Sequence, residues 1–563
     1  MKYLITSALP YINGVKHLGN LVGSMLPADV TARFLRQEGE EVLYICATDE
    51  HGTPAEIGAF HAKQSVEKYC TDHYELQKNI YERFGLSFDY FGRSSSEENK
   101  KLTQHFYKEL KANNLITKKT IKSFYSVDDQ RYLPDRYVTG TCPHCGYEKA
   151  RGDQCENCSK LLDPTDLIEA KSTISGGSNI EIRETEHLFL KLDLMTDKVK
   201  KWLRQDKENW PKIVSSIAQK WLTEGLRERC ITRDLSWGVP IPEPGFETKV
   251  FYVWFDAPFE YIGATQEWAN SIGQPNEWEK WWKDPKNVKY YQYMAKDNIP
   301  FHTIMWPSVL LGTDEKIKMV DFIKGMSWLT YYGGKFSTSE KRGVFTDQAL
   351  EVFPADYWRW ALMAMIPESD DSSFTWNLFQ DIVNADLANN FGNFVNRTLK
   401  FTASKIGETV PEGGAWTERE EKLQTDVNKV LADISSYIHQ QEFRKAISSM
   451  RELWSLGNHY IDEQAPWKLL KTDPQKCHMV IRTCINLIRV NAIAAFPFIP
   501  FTSELIFEHL GLPKANRQFC LANGLDLKSI PAGQAFKIPP ILFQRLDDEK
   551  ITNLKDKFQG KEG

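Results

Sequence analysis

The 563-residue chain lacks any apolar run of the ~18 residues a membrane helix needs, so nothing in it reads as a bilayer span. It also lacks the unbroken apolar core of a signal peptide, because Pro10, Asn13 and Lys16 interrupt the first stretch. Basic charge is not in excess: 70 Lys and Arg stand against 75 Asp and Glu, a net charge of −5. A polyanionic partner must therefore meet local patches, not a basic protein. Cysteine is sparse, with ten in all, four of them clustered; this is not a secreted disulfide framework, and a reduced cytoplasmic setting is expected. No Ser-His or Cys-His constellation marks a nucleophile. The length is too great for one core, and three or four domains are expected.

What is present is organised around the stretch from Ser7 to Asn20. Before it, Tyr3-Leu4-Ile5-Thr6 reads as a buried strand; after it, Leu26, Val30 and Phe34 recur at helical spacing. The stretch is thus a strand-to-helix turn carrying Pro10, Gly14 and Gly19. Free backbone N–H groups and the positive end of a helix dipole make such a turn suit a phosphate. Gly19 lets a ligand approach the backbone closely. His17 adds a donor, although a histidine at a helix start is also a common structural residue. A second buried strand, Val42-Leu43-Tyr44-Ile45-Cys46-Ala47, ends at the acidic turn Thr48-Asp49-Glu50-His51-Gly52-Thr53. Alternating strand and helix signals over residues 1–115 predict an α/β fold, a Rossmann-type parallel sheet with ligands at the carboxyl ends of its strands. Asp49 lies at such an end and reads equally as a receiver of an ammonium group or as a helix N-cap.

Ala8-Leu9-Pro10-Tyr11 followed by His17-Leu18-Gly19-Asn20 resembles the HIGH signature of class I aminoacyl-tRNA synthetases, in the form of the methionyl-tRNA synthetase family, with Asn20 at the last His. About 300 residues later, Gly333-Gly334-Lys335-Phe336-Ser337-Thr338-Ser339 resembles that family's KMSKS loop. A glycine pair gives a mobile loop, and a lysine with hydroxyls suits a developing pyrophosphate. Thr338 stands where the family has a second lysine, so Lys341 or Arg342 is expected to help Lys335 neutralise the leaving group. The resemblance implies a methionine–tRNA ligase. Methionine and ATP give methionyl-adenylate and pyrophosphate, and the 3′-terminal ribose of tRNA for methionine, the initiator included, then takes the methionyl group. It implies catalytic roles for His17, Asn20, Lys335 and Thr338 with Mg²⁺. It also implies ATP contacts from His17, Gly19, Asn20, Asp297, Lys335 and Thr338.

Residues 251–258 are densely aromatic and read mostly as a core strand, yet Trp254, Ala257, Pro258 and Tyr261 also read as walls of an apolar pocket suited to a thioether. By the resemblance, Leu9, Tyr11, Phe301 and His302 complete a methionine pocket, Asp49 holds the α-amino group, and Arg233 contacts the amino acid as well. Arg233 is expected to pair with Asp49 and orient it. One methylene is worth only about 1–3 kcal/mol, so a single pocket discriminates modestly.

Cys142-Pro143-His144-Cys145 and Cys155-Glu156-Asn157-Cys158 form two CxxC pairs whose four thiolates suit one structural zinc, with no coordination position left open. They lie in an insertion, 116–229, too short for the editing domain of the isoleucyl, valyl and leucyl relatives. The catalytic domain is placed at 1–115 and 230–325, a loop-and-linker region at 326–376, and an all-α bundle at 377–563. Leu423, Val427, Val430 and Leu431 give one apolar stripe there; Ile447, Met450, Leu453 and Trp454 give another. By the resemblance this bundle reads the anticodon through Asn393, Arg397 and Trp467, with a buried core aromatic as the other reading of Trp467. No further domain has room, and a monomer is expected. A nucleotidyltransferase that ignores tRNA, or an RNA-binding protein without catalysis, remain the competing classes.

Overall fold

The computed structural model describes every residue except 153, 154, 156, 159, 161, 206, 338–340, 522–524 and 561–563. Five strands form the central sheet: β1 (Lys2–Ser7), β2 (Glu41–Thr48), β3 (Tyr90–Arg93), β4 (Val288–Ala295) and β5 (Phe322–Met326). Their order is β5-β4-β1-β2-β3, and every neighbouring pair is parallel. All of β1 beyond Lys2 is buried, as a strand covered on both faces requires. The chain leaves β1 in one direction for β2 and β3 and returns on its other side as β4 and β5, which opens a crevice at the carboxyl ends of β1 and β4. There Ser7 lies opposite Tyr293, and the Ala8 N–H donates to the Tyr293 carbonyl at 2.8 Å. The Ile12 N–H donates to the Asp49 carbonyl at 2.9 Å, so the ends of β1 and β2 are tied as well.

Between β3 and β4 the chain inserts an antiparallel layer, Ile116–Ser126 against Ile180–Leu190, beyond which sits the cysteine-bearing lobe. Glu56, in the helix Thr53–Ala62, fastens this insertion down. Its carboxylate accepts from Arg131 at 2.8 Å, from the Tyr137 hydroxyl, and from the Trp237 N–H at 2.8 Å.

Residues 251–258 are not the expected strand. Only Val250–Phe251 pairs; Val253–Asp256 is a helical turn and Ala257–Phe259 continues it as 3₁₀. The interval between Trp254, Ala257, Pro258 and Tyr261 is that of one helix face. Phe255 and Phe259, four apart, take a different face, and with Phe251 of the strand they are buried. The aromatic content suggested a strand, and the spacing decided against it.

One helix of the sheet domain and five of the helical part pack into the same core as the sheet. They are α1 (Leu26–Gln37), which follows β1, and α2 (Asn393–Lys405), α3 (Glu418–His439), α4 (Phe443–Gln464), α5 (Pro466–Thr472) and α6 (Pro474–Ala495). Both expected stripes, on α3 and α4, are buried. The junction is electrostatic. Arg359, fully buried, donates to Asp29 of α1 at 2.6 Å and to the carbonyls of Phe498 and Pro497 at 2.9 and 2.8 Å. Burial alone would raise the Asp29 carboxyl, but Arg33, Arg359 and Ser87 outweigh it and hold it at about 2.

Removing one member of a buried pair strands the other, which costs about 3–5 kcal/mol. Arg359→Met should lose stability on that scale in urea unfolding. The loss should be present at pH 7 and fade as the pH falls toward about 2, where Asp29 protonates in the folded state too. A change below about 1 kcal/mol, the range of a surface pair, would contradict this account.

Candidate active site

The turn after β1 fixes its own histidine. His17 caps the short helix Leu18–Asn20: its Nδ1 accepts from the Asn20 N–H at 3.3 Å, and its own N–H donates to Asn20 Oδ1 at 3.2 Å. Gly19 is needed for packing, since a Cβ there would lie 2.9 Å from His17 Nδ1 and 3.2 Å from the Leu329 carbonyl. With Nδ1 accepting, the ring proton sits on Nε2. Burial, aided by the charge of Lys16, lowers His17 to about 3, so the ring is neutral at pH 7.

The loop after β5 comes to this turn. Phe336 stacks on the His17 ring with centroids 4.5 Å apart and planes 6° from parallel. The Leu18 N–H donates to the Val344 carbonyl at 3.2 Å, and the Thr346 N–H to the Lys16 carbonyl at 2.8 Å. The two segments singled out in the sequence thus share one wall of a cavity of about 470 Å³, and His17, Gly19, Asn20 and Lys335 all line it. Thr338 lies outside the described residues.

One end of the cavity is apolar, lined by Leu9, Tyr11, Trp254, Ala257, Pro258, Tyr261, Phe301 and His302. Trp254 and Phe301 stack at 3.6 Å, and Tyr11 meets Trp254 edge-on. His302 Nδ1 faces the Asn298 carbonyl at 2.9 Å and must carry the proton, so its Nε2 accepts from the Tyr261 hydroxyl at 2.9 Å. Burial lowers His302 to about 4, which keeps this ring neutral too.

Two carboxylates border the same space. Asp297 lines it, its carboxyl raised by burial. Asp49 is 6% exposed, and its Oδ1 has no hydrogen-bond partner among the described residues. Burial, then repulsion from Asp256 and Glu50, raises its carboxyl well above the usual range. Asp49 is not the N-cap of the next helix, a position Gly52 holds. A buried acceptor with nothing to accept from is suited to a cationic ligand.

Arg233 corrects an expectation. It pairs with Asp135 at 2.9 Å and lies over the Tyr252 ring at 3.7 Å; it does not pair with Asp49 and is not among the cavity's lining residues. Asp135 comes from the insertion, which sequence spacing could not bring into view. Nor do Lys341 and Arg342 join Lys335 in the lining. Lys341 is exposed, and Arg342 turns back to the Tyr331 carbonyl at 3.0 Å. Lys16 and Trp328 line the cavity without having been singled out. Lys16 stood next to His17 in the same stretch, which was the available signal.

In the insertion, the sulfurs of Cys142, Cys145, Cys155 and Cys158 lie within 4.8 Å of one another. The Cys142–Cys158 and Cys145–Cys155 separations are 3.9 and 3.6 Å. Four thiolates at about 2.3 Å from a tetrahedral ion would be about 3.8 Å apart, so the set fits one metal. It is the one such cluster found among the described residues.

A family model described as tRNA synthetases class I (M) matches residues 3–399, and one described as the anticodon binding domain of methionyl tRNA ligase matches 410–563. The chain is 59% identical to a methionine–tRNA ligase of Acaryochloris marina, with all of both chains covered, and 52% identical to one of Streptomyces avermitilis, with 99% of each covered. The chain belongs to the class I methionyl-tRNA synthetase family. Its fold resembles that of Mycobacterium tuberculosis methionyl-tRNA synthetase in complex with methionyl-adenylate, at a TM-score of 0.78 and 22% identity, covering 97% of this chain and 100% of that one.

In this synthetase the residues expected at the anticodon lie on neighbouring helices. Asn393 is exposed on α2. Arg397, one turn on, donates to Asp462 of α4 at 2.7 Å and to the Asn458 carbonyl at 3.1 Å. Trp467, in the first turn of α5, is 44% exposed, so it is not a core aromatic. No helix among the described residues is long and apolar enough to cross a membrane.

The capping geometry makes a spectroscopic prediction for the synthetase. The ¹⁵N shifts of His17 should report a neutral ring protonated on Nε2, unchanged from pH 8 down to pH 5. A midpoint near the ordinary value of about 6.5 would refute the buried, backbone-tied assignment.

Proposed function

We propose that this synthetase joins L-methionine to tRNA for methionine through methionyl-adenylate. The observation that carries the reading is the convergence of two distant signature segments on one cavity. That cavity has an apolar slot at one end and an unpartnered buried carboxylate beside it. The Asp49 carboxylate takes the amino acid's ammonium, which supplies its missing donor and draws its pKa back down. The thioether enters the slot between Tyr11, Trp254 and Phe301, where aromatic faces and edges suit sulfur. The Tyr261–His302 pair is locked in one tautomer, so the slot presents neutral groups and rejects charged side chains.

In activation, a methionine carboxylate oxygen attacks the α-phosphorus of ATP. The bond from phosphorus to the bridging oxygen breaks and pyrophosphate leaves. His17 Nε2–H and the Asn20 side chain donate to phosphate oxygens at the helix start, and Lys335 offsets charge on the leaving group. Mg²⁺ arriving with ATP supplies further charge neutralisation at the phosphates. In transfer, the terminal ribose hydroxyl attacks the methionyl carbonyl and AMP leaves. Both steps rest on positioning, so no protein nucleophile is required. Arg397 is already oriented by Asp462 and Asn458, and the open face of Trp467 suits stacking by a splayed anticodon base. The four-cysteine set holds one zinc, which stabilises the insertion and takes no part in the chemistry.

ATP–pyrophosphate exchange should require methionine, proceed without tRNA, and fail with other amino acids at equal concentration. No exchange with methionine would sink the reading. Trp467→Ala should leave exchange intact and lower aminoacylation kcat/KM by roughly 10- to 100-fold, as loss of one stacked base predicts. Equal loss in both assays would remove Trp467 from the tRNA face.

Elemental analysis should find one zinc per chain. Cys155→Ser, at a fully buried ligand position, should lose the zinc and lower the melting temperature of the insertion. Full zinc retention in that variant would refute the four-cysteine site.

A further inference from the structure

Among the described residues four lysines are buried to 9% exposure or less: Lys16, Lys249, Lys318 and Lys324. Three have the carboxylate that a buried ammonium calls for. Lys249 pairs with Asp234, Lys318 with Asp321 at 2.8 Å, and Lys324 with Glu368 at 3.0 Å. Lys16 makes no ion pair among the described residues; its Nζ donates to the neutral Asn13 Oδ1 at 3.0 Å. Desolvation without a paired anion pulls its ammonium down to about 7, despite the attraction of Asp49. An ammonium buried beside an amide is a costly arrangement unless an anion completes it.

Its position says which anion. Lys16 lines the cavity together with Asp49, His17 and Asn20. Its charge reaches both Asp49 and His17, which line the same cavity. In the ligase reading, on which this inference rests, Asp49 holds the methionine ammonium and His17 faces the phosphates. Lys16 therefore stands where the methionine carboxylate meets the α-phosphate. Its backbone is held there by the Thr346 N–H bonded to its carbonyl, just beyond the signature loop. Lys16 and Lys335 are the two Lys or Arg side chains among the described lining residues, and the loop carries Thr338 where a second lysine is expected.

We propose that Lys16 is a catalytic residue of the activation step, supplying the second cation over the reacting phosphate. As the carboxylate oxygen bonds to phosphorus and the bridging oxygen departs with its electron pair, negative charge grows on the α-phosphate oxygens and the leaving pyrophosphate. The bound phosphates and carboxylate hold Lys16 protonated, and it transfers no proton. It neutralises that growing charge in a site where little water screens it.

The test is methionine-dependent pyrophosphate exchange and methionine KM for wild type, Lys16→Met and Lys16→Arg, with melting temperatures. Lys16→Met should fold at least as stably as wild type, because an unpaired buried charge is gone. Its exchange kcat should fall roughly 100-fold or more, the scale of one lost transition-state contact, with methionine KM changed far less. Lys16→Arg, which keeps the charge, should stay within about tenfold of wild type. The proposal is overturned if Lys16→Met keeps kcat within about threefold of wild type, or if Lys16→Arg is as impaired as Lys16→Met. Should Lys16→Met fail to fold, Lys16→Gln is read by the same criteria. A wild-type protein inactive with methionine would sink the ligase reading instead, before any variant is compared.

Discussion

The side-by-side pairing of β1 with β4 is the contact on which the rest depends. It runs in parallel register from Lys2 opposite Val288 to Ser7 opposite Tyr293. Because the two strands end within two residues of each other, the turn at residues 8–20 and the segment at 296–302 emerge at one edge, and both line the cavity. The chain between β1 and β4 can then be long without penalty to the site. Loop-closure entropy grows only slowly with length, and the inserted segment has its own antiparallel ladder and is anchored to Glu56 through Arg131 and Tyr137. The insertion is a detour that the sheet tolerates because the ends of β1, β2 and β4 are tied by hydrogen bonds that do not involve it.

The charges in this structure fall into two kinds. At the junction of sheet and helices, Asp29 and Arg359 are buried but fully answered, by each other, by Arg33 and by backbone carbonyls. Inside the cavity, Asp49 has an oxygen without a donor and Lys16 has no carboxylate partner among the described residues. The histidines beside them are neutral, because each is tied at one nitrogen to the backbone and buried. Buried groups left unanswered are costly, and in this respect the cavity differs from the junction.

The sheet, the signature turn and the cysteine spacing were legible in the sequence because each is a local pattern: an apolar run, a turn residue, a repeat of two pairs. Trp254, Ala257, Pro258 and Tyr261 were legible as one wall for a reason visible in their interval, which is helical, while the strand reading of the same segment failed because aromatic content is a weaker signal than period. What could not be read was which partner a long charged side chain chooses. Arg233 was expected at Asp49 and takes Asp135, which the insertion swings in from far along the chain. Arg342 was expected over the phosphates and turns back on the Tyr331 carbonyl. Lys16 was passed over for the opposite reason: its meaning lies in the partner it lacks, and an absence of partners exists only in three dimensions.

The distance between the chemistry and the helical face carrying Trp467 is likewise set by packing. Tyr293 of β4 and Thr31 of α1 both donate to Gln441 Oε1, at 2.6 and 3.2 Å, and Lys324 of β5 donates to Glu368, which in turn accepts the Phe443 N–H at 2.9 Å. These bonds seat the first turn of α4 directly on the sheet. A helix of 22 residues is about 33 Å long, and the far end of α4 carries Asp462, the residue that orients Arg397. One rigid element therefore has the catalytic sheet at its start and the Arg397 and Trp467 face at its end. Its stripe of Ile447, Met450, Leu453 and Trp454 is buried against the core. The length of α4 thus sets the separation between the cavity-bearing sheet and the helical face that carries Arg397 and Trp467.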